Sequence, residues 1–530
     1  MSQKIFRFTL CTVNQWALDF TGNLSRIKDC IVKSKVLDSK YCLFPELSIT
    51  SYGCEDHFLE YDTIHHSWKS IEDLIITSQK NEQFINIICD VGMPVLYLDK
   101  IYNCRVILLN GDVIMIRPKI SLPNSGLHRE SRWFTPWTSE SLVMFDLPPF
   151  IVANSKSKAL KTPFGFCILD FNGFKVGLET CEELWVEEPL HLKLFSSGAD
   201  IVMNASASHH EIRKLTRRIE LVTEATSHPF SGAYAYANLI GCDAQRICYD
   251  SSSMFSVAGE IRELEGQFSL EESLVKLASF DISESKSGKD QNLVPCLDVD
   301  FEVLSTGQGS KDVEKEYILK PETEIALMPS LWLWDILRRS KASGFFLCLS
   351  GGIDSASVAM IVHNLCIQLS LKSNDDKIKN KLSNMFHLNI DDGHINSRDI
   401  CNKLLTTCYM KTKNNSEETR SRAQGIAEGI GSQHFEVDID NICEAVLSTA
   451  VSALQVEKRP RSLKEGGSQQ QSLILQNLQA RSRMNLAYLC AQMIPWRDDS
   501  MGGKLILGSS NLDETLRGYF TNRAPKIEHF

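Results

Sequence analysis

The stretch FFLCLSGGIDSASVAM, Phe345 to Met360, constrains the fold more than any other part of the chain. An apolar run enters Ser-Gly-Gly, and after Asp354 come small residues suited to open a helix. Strand, tight turn and helix in that order make a βα unit of a parallel sheet. Ser350, Gly351 and Gly352 leave the backbone free to turn its N–H groups inward, and the helix beyond adds its positive end. Such a loop suits an anion. A nucleotide-triphosphatase P-loop carries a Lys and a Ser/Thr straight after its last Gly to hold the β- and γ-phosphates, whereas Ile353 and Asp354 stand here. That departure disfavours γ-phosphoryl transfer.

Further on, KLILGSSNLDETLRGYF repeats the strand, loop and helix order and places Ser509, Asn511, Asp513 and Glu514 just past an apolar strand. Open α/β sheets bind ligands at that face. Taken alone, the same residues also describe a capped helix start. A helical pattern, PSLWLWDILRRSKASG, precedes the first loop, KSNDDKIKNK and RPRSLKEGGSQQQS read as mobile loops, and no internal repeat is evident.

The rest of the chain needs a second core. At 530 residues and 43% hydrophobic, two or three domains are expected. Up to about residue 285 short β-like runs such as INIICDVGMPVLYL, CRVILLNGDVIMIRPK, FKVGLETC and GADIVMNAS alternate with amphipathic or turn-rich segments. This sets the expected boundaries: an α/β domain over 1–285, a Ser-, Gly- and Asp-rich linker over 286–320, and a second α/β domain over 321–530. A net charge of −10 with interleaved signs leaves no basic footprint, so small-molecule substrates are expected and nucleic acid is not. The N-terminal apolar stretch is too short and too polar for a signal peptide, and no span approaches bilayer length. Seventeen Cys without paired spacing suit a reducing compartment, so a cytoplasmic protein with no membrane partner is expected.

Three residues of the first half follow apolar runs: Glu46 after YCLF, Lys119 after VIMI and Cys181 after FKVGL. A lone Cys is far more often a packed hydrophobe than a nucleophile, and single strand-end charges are usually solvated. Cys181 sits where a helix can begin and its N–H groups can favour a thiolate, but Glu179, Glu182 and Glu183 would raise its pKa unless a cation compensates.

In the order Glu, Lys, Cys these three residues resemble the triad of the nitrilase, or carbon–nitrogen hydrolase, family. Ser-Gly-Gly-Ile-Asp-Ser similarly resembles the pyrophosphate loop of the N-type ATP pyrophosphatases. Joined in one chain, and with runs such as NQWALDF, ICDVGMP, RWFTPW, CEELW, LQNLQAR and GSSNLDE, the sequence resembles the glutamine-dependent NAD+ synthetase family of the eukaryotic type. The resemblance extends to about Tyr519. It implies a nitrilase-type α-β-β-α sandwich that splits glutamine, followed by a Rossmann-like parallel-sheet domain that adenylates deamido-NAD+ for attack by the ammonia.

On that resemblance the catalytic residues are Glu46, Lys119, Cys181 and Ser350, with Glu130, Ser206, Ser208 and Arg213 around glutamine. ATP would be held by Leu349, Ser350, Gly351, Gly352, Ile353, Asp354, Ser355, Arg481 and Ser509, with Arg483 on the same helix as Arg481. Asp354 and Glu514 would hold Mg2+, and a homo-oligomer would form through the nitrilase domain. Two positions depart from the family pattern: His128 stands where a Tyr is usual and Gln471 where an acid is usual. After LRGYF the family continues into a further segment that contacts ATP and deamido-NAD+, whereas here TNRAPKIEHF closes the sequence. The expectation from that ending is a chain that hydrolyses glutamine, forms NAD+ far more slowly than longer relatives and exposes an apolar face. A plain amidase and a non-ligating partner of longer subunits are the competing readings.

Overall fold

The computed structural model describes residues 3–516 apart from 228–230, 243–246, 287–292, 311–317, 387–394 and 414. The closing segment 517–530, on which the expectation about the ending rests, lies outside the described residues. The chain divides into two units, Met1–Met328 and Pro329–Phe530. The division falls within one helix, Pro321–Ser340, at its internal Pro329.

The first unit stacks two sheets. One is nine-stranded and mixed, with Lys4–Val13 and Ile88–Tyr97 on either side of the short strand Tyr41–Leu43, followed by Lys100–Leu109 and Asp112–Pro118. The other is seven-stranded, with Phe174–Thr180, Ile201–Ala205 and Ala233–Ala237 side by side and parallel at its centre. Alternation along each strand builds the layers. Phe6, Phe8 and Leu10 turn inward and meet Val176, Leu178, Met203 and Ala235 of the other sheet, while Cys11 and Val13 belong to a second core beneath the outer helices. Helices Phe20–Val36 and Tyr61–Lys80 cover one outer face, and Leu190–Ser196 and Lys214–Ser227 pack on the other sheet. The architecture is an α-β-β-α sandwich.

A buried arginine joins the two sheets. Arg105 pairs with Asp90 on the neighbouring strand and donates from its other side to the carbonyls of Glu179 (2.8 Å) and Met203 (2.6 Å) in the opposite sheet. Tyr41 donates to the same Asp90 at 2.6 Å. Both carbonyls belong to the strands that carry the candidate site.

Two short strands form where the sequence suggests only a connector: Cys296–Asp298 pairs with Ile168–Phe171, and Leu304–Thr306 pairs with Lys4–Val13. Both lie at sheet margins and bury little, which is why they lack an apolar pattern.

The second unit holds a four-stranded, wholly parallel sheet in the order Gln433–Asp438, Leu405–Lys411, Phe345–Cys348, Leu505–Leu507. Phe346, Cys408, Met410 and Ile439 pack there against Ala487, Ala491 and Ile494 of the long helix Gln469–Arg497. The segment read as a loop around KSNDDKIKNK contains the start of a helix, Asp376–Phe386, held by buried Ile378 and Leu382 one turn apart. In the other expected loop, Leu463–Glu465 forms a single turn and Gln471 closes a capping box with Ser468 at the start of the long helix. Among the described residues no helix is long and apolar enough to cross a membrane.

Candidate active site

Glu46, Lys119, Glu130 and Cys181 come together at the strand ends of the first unit, all of them buried. Lys119, one residue past the strand Asp112–Pro118, donates to Glu46 Oε1 at 2.6 Å and to both oxygens of Glu130 at 2.8 and 3.0 Å. Asn103 donates to the same Glu46 oxygen at 2.6 Å, and the Tyr52 hydroxyl donates to Glu130 at 2.7 Å. Glu46 Oε2 has no hydrogen-bond partner among the described residues. One oxygen of this carboxylate is therefore clamped and the other is left to act. The bend bearing Glu46 rests on Gly92, where an added Cβ would lie 2.2 Å from the Leu47 nitrogen.

The electrostatics follow from burial. Burial alone would lower the pKa of Lys119, but Glu130 and Glu46 hold it above the ordinary lysine value. Burial pushes Glu130 up to about 7 against the pull of Lys119. Burial is also the largest influence on the Cys181 thiol and raises it well above the ordinary value; Glu46 adds to this, while Lys119 and the Ala207 main-chain N–H oppose it. At rest the sulfur carries its proton.

Cys181 follows the strand Phe174–Thr180 and starts the turn Cys181–Leu184 with φ at 43°, a left-handed backbone that a side chain adopts at a cost. Its surroundings hold it there. The Cys181 N–H donates to Asn204 Oδ1 at 3.1 Å, and Asn204 in turn is held by Tyr234 and Glu179. Two of the three acids beside the thiol are separately engaged. Glu183 takes the Arg117 guanidinium at 2.8 and 2.6 Å, the Thr180 N–H at 2.6 Å and the Ile120 N–H at 2.6 Å, while Glu179 takes Tyr234 and the main chain of His191. Arg117 is the compensating cation for Glu183. It also ties the strand leading to Lys119 to the turn bearing Cys181.

The remaining expected glutamine residues lie just beyond the strand Ile201–Ala205. Ser206 donates to Asn204 at 2.7 Å and accepts the Glu46 N–H at its carbonyl, and Ser208 is held through its main chain by Asn238. Arg213 stands apart: it is exposed, its N–H donates to Glu324, and its guanidinium reaches the Leu319 carbonyl at 3.3 Å. His128 lies at the rim, with Nδ1 3.0 Å from the Tyr52 hydroxyl and its ring 4.9 Å from that of His209. Burial, helped by His209, pushes it down to about 3, so it is neutral near pH 7. Asn103, Tyr52, Asn204 and Ala207 were not singled out from sequence, because nothing local marks them.

In the second unit, Gly351 bends at φ 77°, and an added Cβ would lie 2.1 Å from the Thr419 carbonyl. Only glycine fits. Ser350 and Ser355 close the loop from within: their hydroxyls lie 3.0 Å apart, Ser350 N donates to Ser355 Oγ and Gly352 N donates to Ser350 Oγ. The helix Ile353–Leu371 begins here, and the N–H groups of Ile353, Asp354 and Ser355 in its first turn have no carbonyl four residues back within it. Leu349 is fully buried, so it offers a ligand only its main chain. Asn511 connects the two strand ends, donating from its side chain to Asp354 Oδ1 at 3.3 Å and from its N–H to Glu514 Oε2 at 3.4 Å. Two carboxylates thus flank one amide, a donor set that suits Mg2+, which takes one or two carboxylates and keeps water and phosphate oxygens. Ser509 is half-buried, Arg481 is exposed, and Arg483 donates to the Met410 carbonyl at 3.3 Å.

Comparison with known proteins agrees with this division. Residues 7–287 match the carbon-nitrogen hydrolase family and residues 328–523 the NAD synthase family. The chain is 42% identical to the glutamine-dependent NAD(+) synthetase of Mus musculus over 98% of its own length and 73% of the relative's, and 41% identical to that of Homo sapiens over 98% and 75%. It also resembles the crystal structure of a glutamine-dependent NAD(+) synthetase from Cytophaga hutchinsonii, with a TM-score of 0.78 at 26% identity, covering 98% of this chain and 76% of that one. A buried Glu–Lys–Cys cluster in one unit, a glycine loop without a following Lys in the other, and relatives spanning both lead to one conclusion: the chain belongs to the glutamine-dependent NAD(+) synthetases.

Proposed function

We propose that the first unit releases ammonia from glutamine at Cys181 and that the second adenylates the nicotinate carboxyl of deamido-NAD+ with ATP, the ammonia then giving NAD+ and AMP. The observation that carries the first half is Glu46: its Oε1 is held by Lys119 and Asn103 while Oε2 has no hydrogen-bond partner among the described residues, in a buried cluster with a protonated thiol. Glu46 takes the thiol proton as sulfur attacks the amide carbon, and returns it to the departing ammonia. Lys119 keeps the two carboxylates together and supplies positive charge to the developing oxyanion. The product is a thioester, which water opens to glutamate.

For the second half, the Gly351 N–H and the first turn of the helix behind the loop offer main-chain donors to the pyrophosphate that leaves, while the Ser350 and Gly352 N–H groups hold the loop's shape. Asp354 and Glu514 would hold Mg2+, which neutralises that charge. Arg481 and Ser509 belong to the same reading as ATP contacts, and Ser206, Ser208 and Glu130 to the glutamine side. Assembly through the first unit and a cytoplasmic location, in keeping with 17 cysteines that show no paired spacing, complete the proposal; sedimentation of the purified chain and imaging of the tagged protein check them.

The test of the thiol chemistry is direct. Chain mixed with L-glutamine and quenched in acid should carry the γ-glutamyl acyl group on the Cys181 peptide by mass spectrometry. Acylation of a different residue, or none while glutamate is released, would refute the assignment.

A further inference from the structure

Ser206, Ala207 and Ser208 touch both partners of the proposed proton transfer. The Ser206 carbonyl accepts the Glu46 N–H at 3.3 Å, and the Ala207 N–H faces the Cys181 sulfur. Ser206 Oγ shares Asn204 Oδ1 with the Cys181 N–H. One short stretch past the strand Ile201–Ala205 thus sets where base and nucleophile stand. A single side chain grips that stretch from behind. Asn238 directly follows the neighbouring strand Ala233–Ala237 and is fully buried. Its Oδ1 accepts the Ser208 N–H at 2.8 Å, and its Nδ2 donates to the carbonyls of Ser208 at 3.1 Å and Ser251 at 2.9 Å. One amide therefore meets both the N–H and the C=O of Ser208, as the peptide of an adjoining strand would, just where the strand pairing has run out. Its orientation is fixed, because two carbonyls need N–H groups opposite them. Behind it, Ser251 and Ser252 both take left-handed backbone, with φ at 65° and 62°, and the Ser251 carbonyl also accepts from Arg218 at 3.3 Å. Backbone strain is kept at the point that anchors the asparagine.

We infer that Asn238 is a positioning residue for the cysteine chemistry: by clamping Ser208 it holds the Ala207 N–H on the Cys181 sulfur and the Ser206 carbonyl on the Glu46 main chain, so that base and nucleophile keep their mutual placement. This rests on the proposed glutamine reaction at Cys181. As negative charge grows on the sulfur, a donor already in place needs no reorganisation. Asn238 acts through the main chain and takes no part in the proton transfers.

The experiment compares Asn238→Asp and Asn238→Ser with the parent, each as the full chain. Asn238→Asp keeps the size and the acceptor but sets a carboxylate oxygen against two carbonyls; Asn238→Ser, smaller and neutral, carries the test where the aspartate disrupts folding. Glutamate release from L-glutamine gives kcat and KM, mass spectrometry of the Cys181 peptide gives its rate of alkylation by iodoacetamide at pH 8, and far-UV circular dichroism checks the fold. With an unchanged spectrum, kcat should fall roughly ten- to hundredfold with KM within about threefold, because the loss is in the reacting geometry and not in binding. Alkylation should slow roughly five- to tenfold, because less of the sulfur is thiolate. A merely structural role predicts the opposite sign, since loosening would uncover the buried Cys181 and quicken alkylation. Faster alkylation, an unchanged kcat, or a loss confined to KM would each overturn the assignment. A parent chain that alkylates at Cys181 yet releases no glutamate would overturn the donor reading beneath it, while the alkylation rates would still decide the role of Asn238.

Discussion

At the scale of single residues, the division of labour on Glu46 is the feature that most constrains the chemistry. With one oxygen clamped and the other unpartnered among the described residues, Glu46→Gln keeps the shape and removes the base together with the charge that faces Lys119. Its kcat for glutamate release should fall 10²- to 10⁴-fold with KM little changed. Joining it to Cys181→Ala should add nothing, because members of one catalytic unit do not contribute additively; a further loss in the double variant would contradict this. The strained nucleophile makes a second expectation. At φ 43°, glycine is easier to accommodate than alanine, so Cys181→Gly should be more stable than Cys181→Ala by about 1 kcal/mol in urea unfolding. The reverse order would show that the turn relaxes once the thiol is gone. Glu46, Lys119 and Cys181 each follow an apolar run, but singly they read as ordinary strand-end residues; what made them legible is that their order, Glu, Lys, Cys, resembles the nitrilase triad. Asn204 and Ala207 were not, since Asn204 matters through partners far off in the chain and Ala207 through its main chain.

At the scale of elements, buried charge pairs link the pieces that shape the site. Arg218, on the helix Lys214–Ser227, donates to Asp250 at 2.7 Å, and both are buried. Burial works to raise the Asp250 pKa, but Arg218 and His210 outweigh it and hold it at about 2, below the ordinary 3.8. A depressed carboxylate stabilises the fold above its unfolded pKa and loses that contribution as pH falls through the folded one. The pair should therefore contribute on the order of 2 kcal/mol at neutral pH, fading between about pH 4 and pH 2. Unfolding of the parent and of Asp250→Asn across that range should show their stability difference shrinking toward acid. A difference that stays constant with pH would mean that Asp250 acts through shape alone. The element pattern itself was largely legible from strands that alternate or run fully apolar. The helix Asp376–Phe386 was hidden among charges, its burial resting on Ile378 and Leu382, and the strands Cys296–Asp298 and Leu304–Thr306 were hidden because edge pairing needs hydrogen bonds and little apolar surface.

At the scale of the whole molecule, each unit carries one chemistry. Asp354→Asn or Glu514→Gln should slow Mg·ATP-dependent NAD+ formation at least tenfold and leave glutamine hydrolysis within twofold, because each removes a carboxylate next to Asn511 and leaves the Glu46, Lys119 and Cys181 cluster unaltered. Equal losses in both activities would contradict separate sites. The two-unit organisation could be read from sequence because a Ser-, Gly- and Asp-rich stretch poor in apolar periodicity separates two α/β patterned halves. The continuity of the helix Pro321–Ser340 across the division could not, since a proline within an apolar stretch reads as a boundary.

The central claim, that reaction of glutamine at Cys181 releases the ammonia which the second unit uses, is tested most directly by measuring glutamate and NAD+ together in the parent and in Cys181→Ala. Each is given deamido-NAD+ and Mg·ATP with either glutamine or ammonium as nitrogen source. With glutamine, the variant should release no glutamate above the blank and form no NAD+; with ammonium, it should form NAD+ at the parent's rate. Glutamate release by the variant at the parent's rate, or loss of its ammonium-fed NAD+ formation, would contradict the account.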